Sequence, residues 1–212
     1  MSKWAIVQYD NRPLTDNFRS LQERNMAYCK KHQYEYIFSN DPYDLPPYWV
    51  KVKLVREVLE RDDIKGVLWL DIDAVVHHMS IPLDMLLIDK KSFYYTPDPT
   101  LADFNAGIWM VLQTPMGKEI MDAWMTLYTP STWSYNGHEW KTEGVWGGPT
   151  YEQGSFIDVI LPKYKKYLCK YPWQLFQNYD YKVPPVFISH FFMNRKLEIP
   201  DYLQTLPALS NT

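Results

Sequence analysis

Apolar and polar positions along the chain change rhythm repeatedly. Trp4 to Tyr9 is a short apolar run suited to a buried strand, and the turn-forming Asp10-Asn-Arg-Pro13 follows it. From about Thr15 to Gln33 the pattern becomes helical, with Phe18, Leu21 and Tyr28 close to the helical period and Ala27 and Cys29 beside them. Tyr34 to Phe38 reads as a second strand. After the proline-rich loop Asp41-Pro-Tyr-Asp-Leu-Pro-Pro47, a helix from about Tyr48 to Arg61 sets Leu54, Val55, Val58 and Leu59 on one face. Gly66-Val-Leu-Trp-Leu-Asp-Ile-Asp-Ala-Val-Val76 is the third strand. Strands alternating with helices at this spacing predict βαβ units and a mainly parallel sheet, apolar on both faces of its central strands.

Beyond that third strand the rhythm loosens. Ser92 to Pro97 and Ala106 to Gln113 read as strands, Met116 to Tyr128 as a helix, and 129–149 as a long loop rich in Trp, Gly, Ser and Thr. A helix from about Glu152 to Leu161 follows, then strands around Trp173 and from Phe187 to Ser189. The chain shows no internal repeat and no low-complexity tract. The expected class is α/β, a single domain over 1–212 with a mainly parallel central sheet flanked by helices. About 1–100 reads as a nucleotide-binding half and about 101–212 as an irregular substrate half built on the same sheet.

Composition narrows the partners. The 212 residues are 46% hydrophobic and 17% aromatic, enough for one substantial core. A net charge of -3 with scattered Lys and Arg supplies no basic field, which argues against nucleic acid. The two cysteines, Cys29 and Cys169, have no metal-ligand spacing; they fit a reducing, cytoplasmic compartment and leave a disulfide open. No signal segment begins the chain, and no apolar run approaches the roughly 18 to 20 residues that cross a bilayer, so no membrane anchor is expected.

Asp71 and Asp73 set the chemical question, because an unpaired charge at the end of a buried strand costs several kcal/mol. Ligands of open parallel sheets bind at the carboxyl ends of the strands, and both acids fall there. On an extended chain, residues i and i+2 point the same way about 7 Å apart. Hard oxygen ligands of this kind suit Mg²⁺ or Mn²⁺ shared with substrate phosphates. The competing reading is that the acids only end a strand or cap the next element.

Order along the chain adds a second signal. Leu68-Trp-Leu-Asp-Ile-Asp-Ala-Val-Val76, then Phe104-Asn-Ala-Gly-Ile-Trp-Met-Val111, Tyr151-Glu-Gln-Gly-Ser-Phe156 and Phe187-Ile-Ser-His-Phe-Phe-Met-Asn194 follow one another as they do in the GT-A glycosyltransferases. The resemblance covers about Trp4 to Lys196 and is closest to families of UDP-sugar-dependent galactosyl- and xylosyltransferase type. Small size and the absence of an anchor make the chain most similar to the glycosyltransferase domains of large chlorella-virus proteins that build capsid glycans, which would place it in the host cytoplasm.

The resemblance implies a Rossmann-like GT-A domain that moves a hexosyl or deoxyhexosyl group from a UDP-sugar to an oligosaccharide or glycoprotein glycan, with Mn²⁺ or Mg²⁺ and with retention. It implies that Asp73 ligates the metal and that Asp71 holds the ribose or the metal shell. Tyr9 would stack on the base and Asp10 hydrogen-bond it, and Lys53 would contact the acids or phosphates. Asn105, with Ala106 and Gly107 allowing close approach, would line the donor sugar, and Gln153 would lie near the anomeric carbon beside Glu152. His190 would be the late metal ligand, and Lys196 would reach the pyrophosphate. The chain departs from the pattern at Met193, where relatives commonly have Gly, and at Gly154 and Ser155, which follow Glu-Gln.

Each residue also has a plain structural reading. His190 suits a satisfied core histidine, Tyr9 strand packing, Asn105 a turn before glycine, and Lys196 a solvated surface. Trp140 and Trp146 suit sugar stacking or packing, and His138 and Glu139 are candidate acceptor contacts. Two other classes share the acid pair or the aromatic richness. One is a phosphohydrolase with Asp71 as nucleophile, which needs a later acidic pair that Asp158, Asp180 and Asp201 do not form in sequence. The other is a non-catalytic sugar- or nucleotide-binding module.

Overall fold

The computed structural model describes residues 2–99, 102–147, 151–178, 180 and 187–207. In chain order the elements are β1 (Lys3–Tyr9), α1 (Asp16–His32), β2 (Glu35–Ser39), α2 (Pro47–Leu59), β3 (Ile64–Leu70), β4 (Ala74–Val76), β5 (Phe93–Tyr95) and β6 (Ile108–Leu112). Then come α3 (Pro115–Met125), β7 (Trp133–Tyr135), β8 (Trp140–Thr142), α4 (Tyr151–Ser155), α5 (Leu161–Tyr164), β9 (Leu168–Lys170), α6 (Trp173–Phe176), β10 (Ile188–His190) and α7 (Ile199–Thr205). A wider turn, Phe156–Ile160, joins α4 to α5 as one helical run.

Local chemistry sets the boundaries. The Thr15 hydroxyl accepts from Phe18 N–H at the start of α1, and Gln33 at φ 58 stops it in the left-handed region. Pro47 at the first position of α2 has a preset φ and no wasted donor.

The main sheet has the order β2-β1-β3-β6-β5-β9. β6 runs antiparallel to β3 and β5, and the remaining pairs are parallel. This is the mainly parallel α/β sheet expected. Alternate residues of one strand enter opposite cores: Val67, Trp69, Trp109 and Val111 pack with α2 and α3, whereas Leu68, Leu70, Ile108 and Met110 pack with Tyr28, Phe187 and Ile188. Each large side chain fully buried this way contributes about 1.5–3 kcal/mol. Cys29 and Cys169 are buried and unbridged.

Three expectations are corrected. The stretch 129–149 is not loop throughout, since Trp133–Tyr135 and Trp140–Thr142 pair as an antiparallel hairpin; its residues 148 and 149 lie outside the described ones. The strand expected around Trp173 is the short helix α6, because Pro172 sets the chain up for a helical start, and the strand is β9 just before it. The acid pair is not on an extended chain: Ala74 N–H donates to Asp71 C=O at 2.9 Å, closing a tight turn between β3 and β4.

Candidate active site

Four segments converge on one edge of the sheet because of topology. β1 and β3 are parallel neighbours, so Tyr9 and Asp10 end beside Asp71. β6 is antiparallel to β3 with Ile108 opposite Leu70, so Asn105, Ala106 and Gly107 arrive at the same edge. α2 leads into β3, so its first turns, which carry Tyr48 and Lys51, lie above that edge. Finally β10 pairs antiparallel with β4 and sets His190 opposite Ala74.

Asp71, Asp73 and His190 each offer a ligand atom within 4.8 Å of the others. His190 is 2% exposed and Asp73 5%. The histidine ring lies 2.5 Å from Gln177 through Nδ1, so with Gln177 Oε1 accepting, Nδ1 carries a proton and Nε2 is the atom turned toward the acids. That Nε2 lies 3.3 Å from Asp73 Oδ1 but finds no hydrogen-bond partner among the described residues. Two carboxylates and an unsatisfied, buried imidazole nitrogen fit a divalent cation that accepts oxygen and nitrogen donors. Burial works to raise the Asp73 pKa, but His190 and Lys196 outweigh it and hold the carboxyl at about 2.

The turn bearing the acids is clamped from behind. Gln8 donates to Asp71 C=O at 3.1 Å, and Asn25 donates to Ala74 C=O at 3.0 Å and accepts from Val76 N–H. Both side chains are fully buried.

Lys51 is the cation beneath the site. Its Nζ lies 3.0 Å from Asp71 Oδ1, 3.3 Å from Glu152 Oε1, and donates to Ala106 C=O at 3.2 Å. Burial alone pushes its pKa down, but Asp71 and Glu152 reverse this and keep it protonated. Glu152 is pushed up by burial, with Lys51 opposing. Trp69 Nε1–H donates to the same Asp71 oxygen at 2.9 Å.

The other predicted residues divide. Tyr9 and Asp10 line the same cavity of about 340 Å³ as Arg12, Tyr48, Lys51, Asp71, Asp73 and Lys196. Burial lifts the Tyr9 phenol to about 12, and Asp10 is held by Arg12 at 2.6 and 2.9 Å. Lys196 Nζ lies 3.0 Å from Asp73 Oδ2. Asn105 bonds Asp98 and accepts from Gly107 N–H at 2.8 Å, and Gln153 Oε1 accepts from Ala106 N–H at 3.0 Å. A Cβ on Gly107 would stand 2.3 Å from His190 Cε1, so this position needs glycine. Lys53 does not join the cluster. It pairs with Glu57 one turn along α2, at 2.5 Å, and faces outward.

Lys51, Arg12 and Gln177 escaped the sequence reading. Lys51 carried a signal, since it precedes Val55 by four residues and Val58 by seven and so falls on the apolar face of α2, where an unpaired lysine is expensive. Met193, where relatives have glycine, sits at φ 54, the backbone region that favours glycine.

Comparison with known proteins agrees with this geometry. The profile of the galactosyl transferase GMA12/MNN10 family matches residues 6–98, under half of the chain. No curated protein matches it by sequence. A glycosyltransferase involved in the glycosylation of the major capsid of PBCV-1 superposes with a TM-score of 0.75, covering 96% of this chain and 100% of its own, at 16% identity. The glycosyltransferase GlyE of Streptococcus pneumoniae TIGR4 gives 0.53 at 17% identity, over 97% of this chain and 61% of its own. The galactosyltransferase LgtC, solved with donor and acceptor sugar analogs, gives 0.50 at 14% identity over 96% of this chain and 98% of its own. The chain has the GT-A fold of the nucleotide-sugar glycosyltransferases.

Proposed function

We propose that this chain is a divalent-metal-dependent glycosyltransferase that moves a hexosyl or deoxyhexosyl group from a UDP-sugar to a glycan acceptor, with retention by analogy to the families it resembles. The observation that carries the reading is the Asp71–Asp73–His190 cluster, whose two acids line a cavity that Tyr9 and Lys196 also line. In this reading residues of about 1–100 serve the nucleotide and those of about 101–212 the donor sugar and acceptor. His190 and Lys196 are the exceptions, returning to the nucleotide side.

The base lies against Tyr9 and Asp10. Asp73 and His190, with Asp71, are the residues that would hold Mn²⁺ or Mg²⁺. Such an ion neutralises charge on a departing diphosphate. Lys196 turns from Asp73 toward the phosphates, and Arg12, whose guanidinium senses Asp71 and Asp73, faces them from the other wall. Both cations stabilise charge that grows only as the glycosidic bond breaks, which is where stabilisation raises rate. Lys51 contacts Asp71 and Glu152 together and fixes their positions, and Gln153 and Asn105 line the donor sugar beside Gly107.

The test is turnover of a panel of UDP-sugars with a mixed glycan acceptor pool, followed as UDP release and as mass gain of the acceptor. Transfer that requires added Mn²⁺ or Mg²⁺ supports the reading. Hydrolysis of p-nitrophenyl phosphate without sugar transfer would favour a phosphohydrolase and reject it.

A further inference from the structure

We propose that the aromatic face of the β7–β8 hairpin, continued into the cavity by Tyr48 and Tyr151, seats the acceptor, binding its pyranose rings by stacking. The proposal rests on the transferase reading and adds to it where the second substrate lies. Tyr48 is a cavity wall residue, 38% exposed, three positions before Lys51 on α2. Its ring stacks on Tyr151 with centroids 4.0 Å apart and planes at 19°. Trp133 stands against both, 5.5 Å from Tyr151 and 6.5 Å from Tyr48. Tyr151 directly precedes Glu152 and Gln153, so the ring cluster borders the donor-sugar side of the cavity rather than the base side.

From Trp133 the aromatic surface runs outward. Trp133 and Tyr135 are i and i+2 on β7 and therefore share a face, about 7 Å apart. Trp140 lies opposite Tyr135 in the hairpin register, with ring centroids 5.2 Å apart. A cross-strand aromatic pair would by itself explain some hairpin stability. It does not explain why the face stays open: Tyr135 is 56% exposed, and no strand of the hairpin is buried. An aromatic surface left in water beside a polar cavity marks a binding surface. The alternating apolar and hydroxyl-bearing edges of a sugar ring suit it, with ring faces on Tyr135 and Trp140 and hydroxyls toward the exposed turn that carries His138. Tyr151 is held at φ 31, a costly conformation for an aromatic residue, and strain of this kind collects at ligand clamps.

The experiment is a titration of ¹⁵N-labelled protein, saturated with UDP and Mn²⁺, with methyl glycosides and unbranched disaccharides, read at the indole N–H signals of Trp133 and Trp140. The expected result is saturable shifts of both indoles, with disaccharides binding more tightly than monosaccharides. Tyr135→Ala, a substitution at an exposed site, should weaken the saccharide by about 2- to 10-fold, as loss of one ring contact does, while UDP affinity holds. Unshifted Trp133 and Trp140 indoles, or parent affinity in Tyr135→Ala, would overturn the proposal. So would binding only of glycosides with a long alkyl or an aromatic aglycone, the methyl glycosides and disaccharides failing to bind. If UDP itself does not bind, the transferase reading falls with it; if UDP binds and no saccharide reaches these indoles, only the acceptor face is rejected.

Discussion

His190 Nε2 stands 3.3 Å from Asp73 Oδ1 because β10 lies antiparallel to β4 with His190 opposite Ala74. The residues are far apart in sequence, and the pairing brings a nitrogen donor beside the acid pair. His190→Ala should therefore raise the Mn²⁺ concentration needed for turnover. Gln177→Leu, which touches no ligand atom but frees the ring, should lower metal affinity by about 10- to 100-fold. Metal titrations of both variants by calorimetry check this, and parent affinity in Gln177→Leu would show that the ring is held by other means.

Lys51 faces two carboxylates in a buried setting, so its removal leaves them uncompensated. Lys51→Met should cost about 3–5 kcal/mol in urea unfolding. Adding Glu152→Gln should restore much of the loss, because one buried charge then goes with its partner. A double variant no more stable than the single one would contradict the ion-pair account.

Gly107→Ala tests the close approach of backbone to imidazole. The added methyl meets His190 Cε1 at 2.3 Å and Asn105 Oδ1 at 3.0 Å. Overpacking should cost about 1–3 kcal/mol, and the displaced ring should weaken metal binding together with the melting temperature. A variant that melts and binds Mn²⁺ like the parent would show that the ring has room to move.

Asp73 gives an acid limb with a definite sign. A carboxyl whose folded pKa lies below its unfolded value stabilises the fold above the unfolded value, and this contribution is lost as pH falls through the folded one. With 3.8 lowered to about 2, the loss for metal-free protein runs over the window between those two values. The stability difference between parent and Asp73→Asn should therefore shrink toward pH 2 in urea midpoints taken from pH 5 downward. A constant difference would place the Asp73 shift elsewhere.

Strands β1, β3, β5 and β6 and helices α1, α2 and α3 were legible because each buries a periodic apolar face. The hairpin was not, since Trp133, Tyr135 and Trp140 are spaced among Ser, Asn and Gly that read as loop, and its stability comes from cross-strand ring contact. The acid pair and His190 were legible as residue types in order. Their convergence was expected only through the resemblance and not from periodicity, because it depends on a three-residue strand pairing between distant parts of the chain. Lys53 was named through the resemblance, as a basic residue on the helix before the acids; the helical period separates it from Lys51, turning Lys51 inward and Lys53 toward Glu57. Gln177 had no signal, since its role is only to hold a ring that another segment supplies.

The central claim is a metal-dependent UDP site between Tyr9 and Lys196. Calorimetric titration of UDP, GDP and CDP, each with and without Mn²⁺, tests it most directly. The account predicts UDP-selective binding that requires Mn²⁺ and is lost in Asp73→Asn. Tighter binding of GDP or CDP, or UDP binding unchanged by Mn²⁺ and by Asp73→Asn, would contradict it.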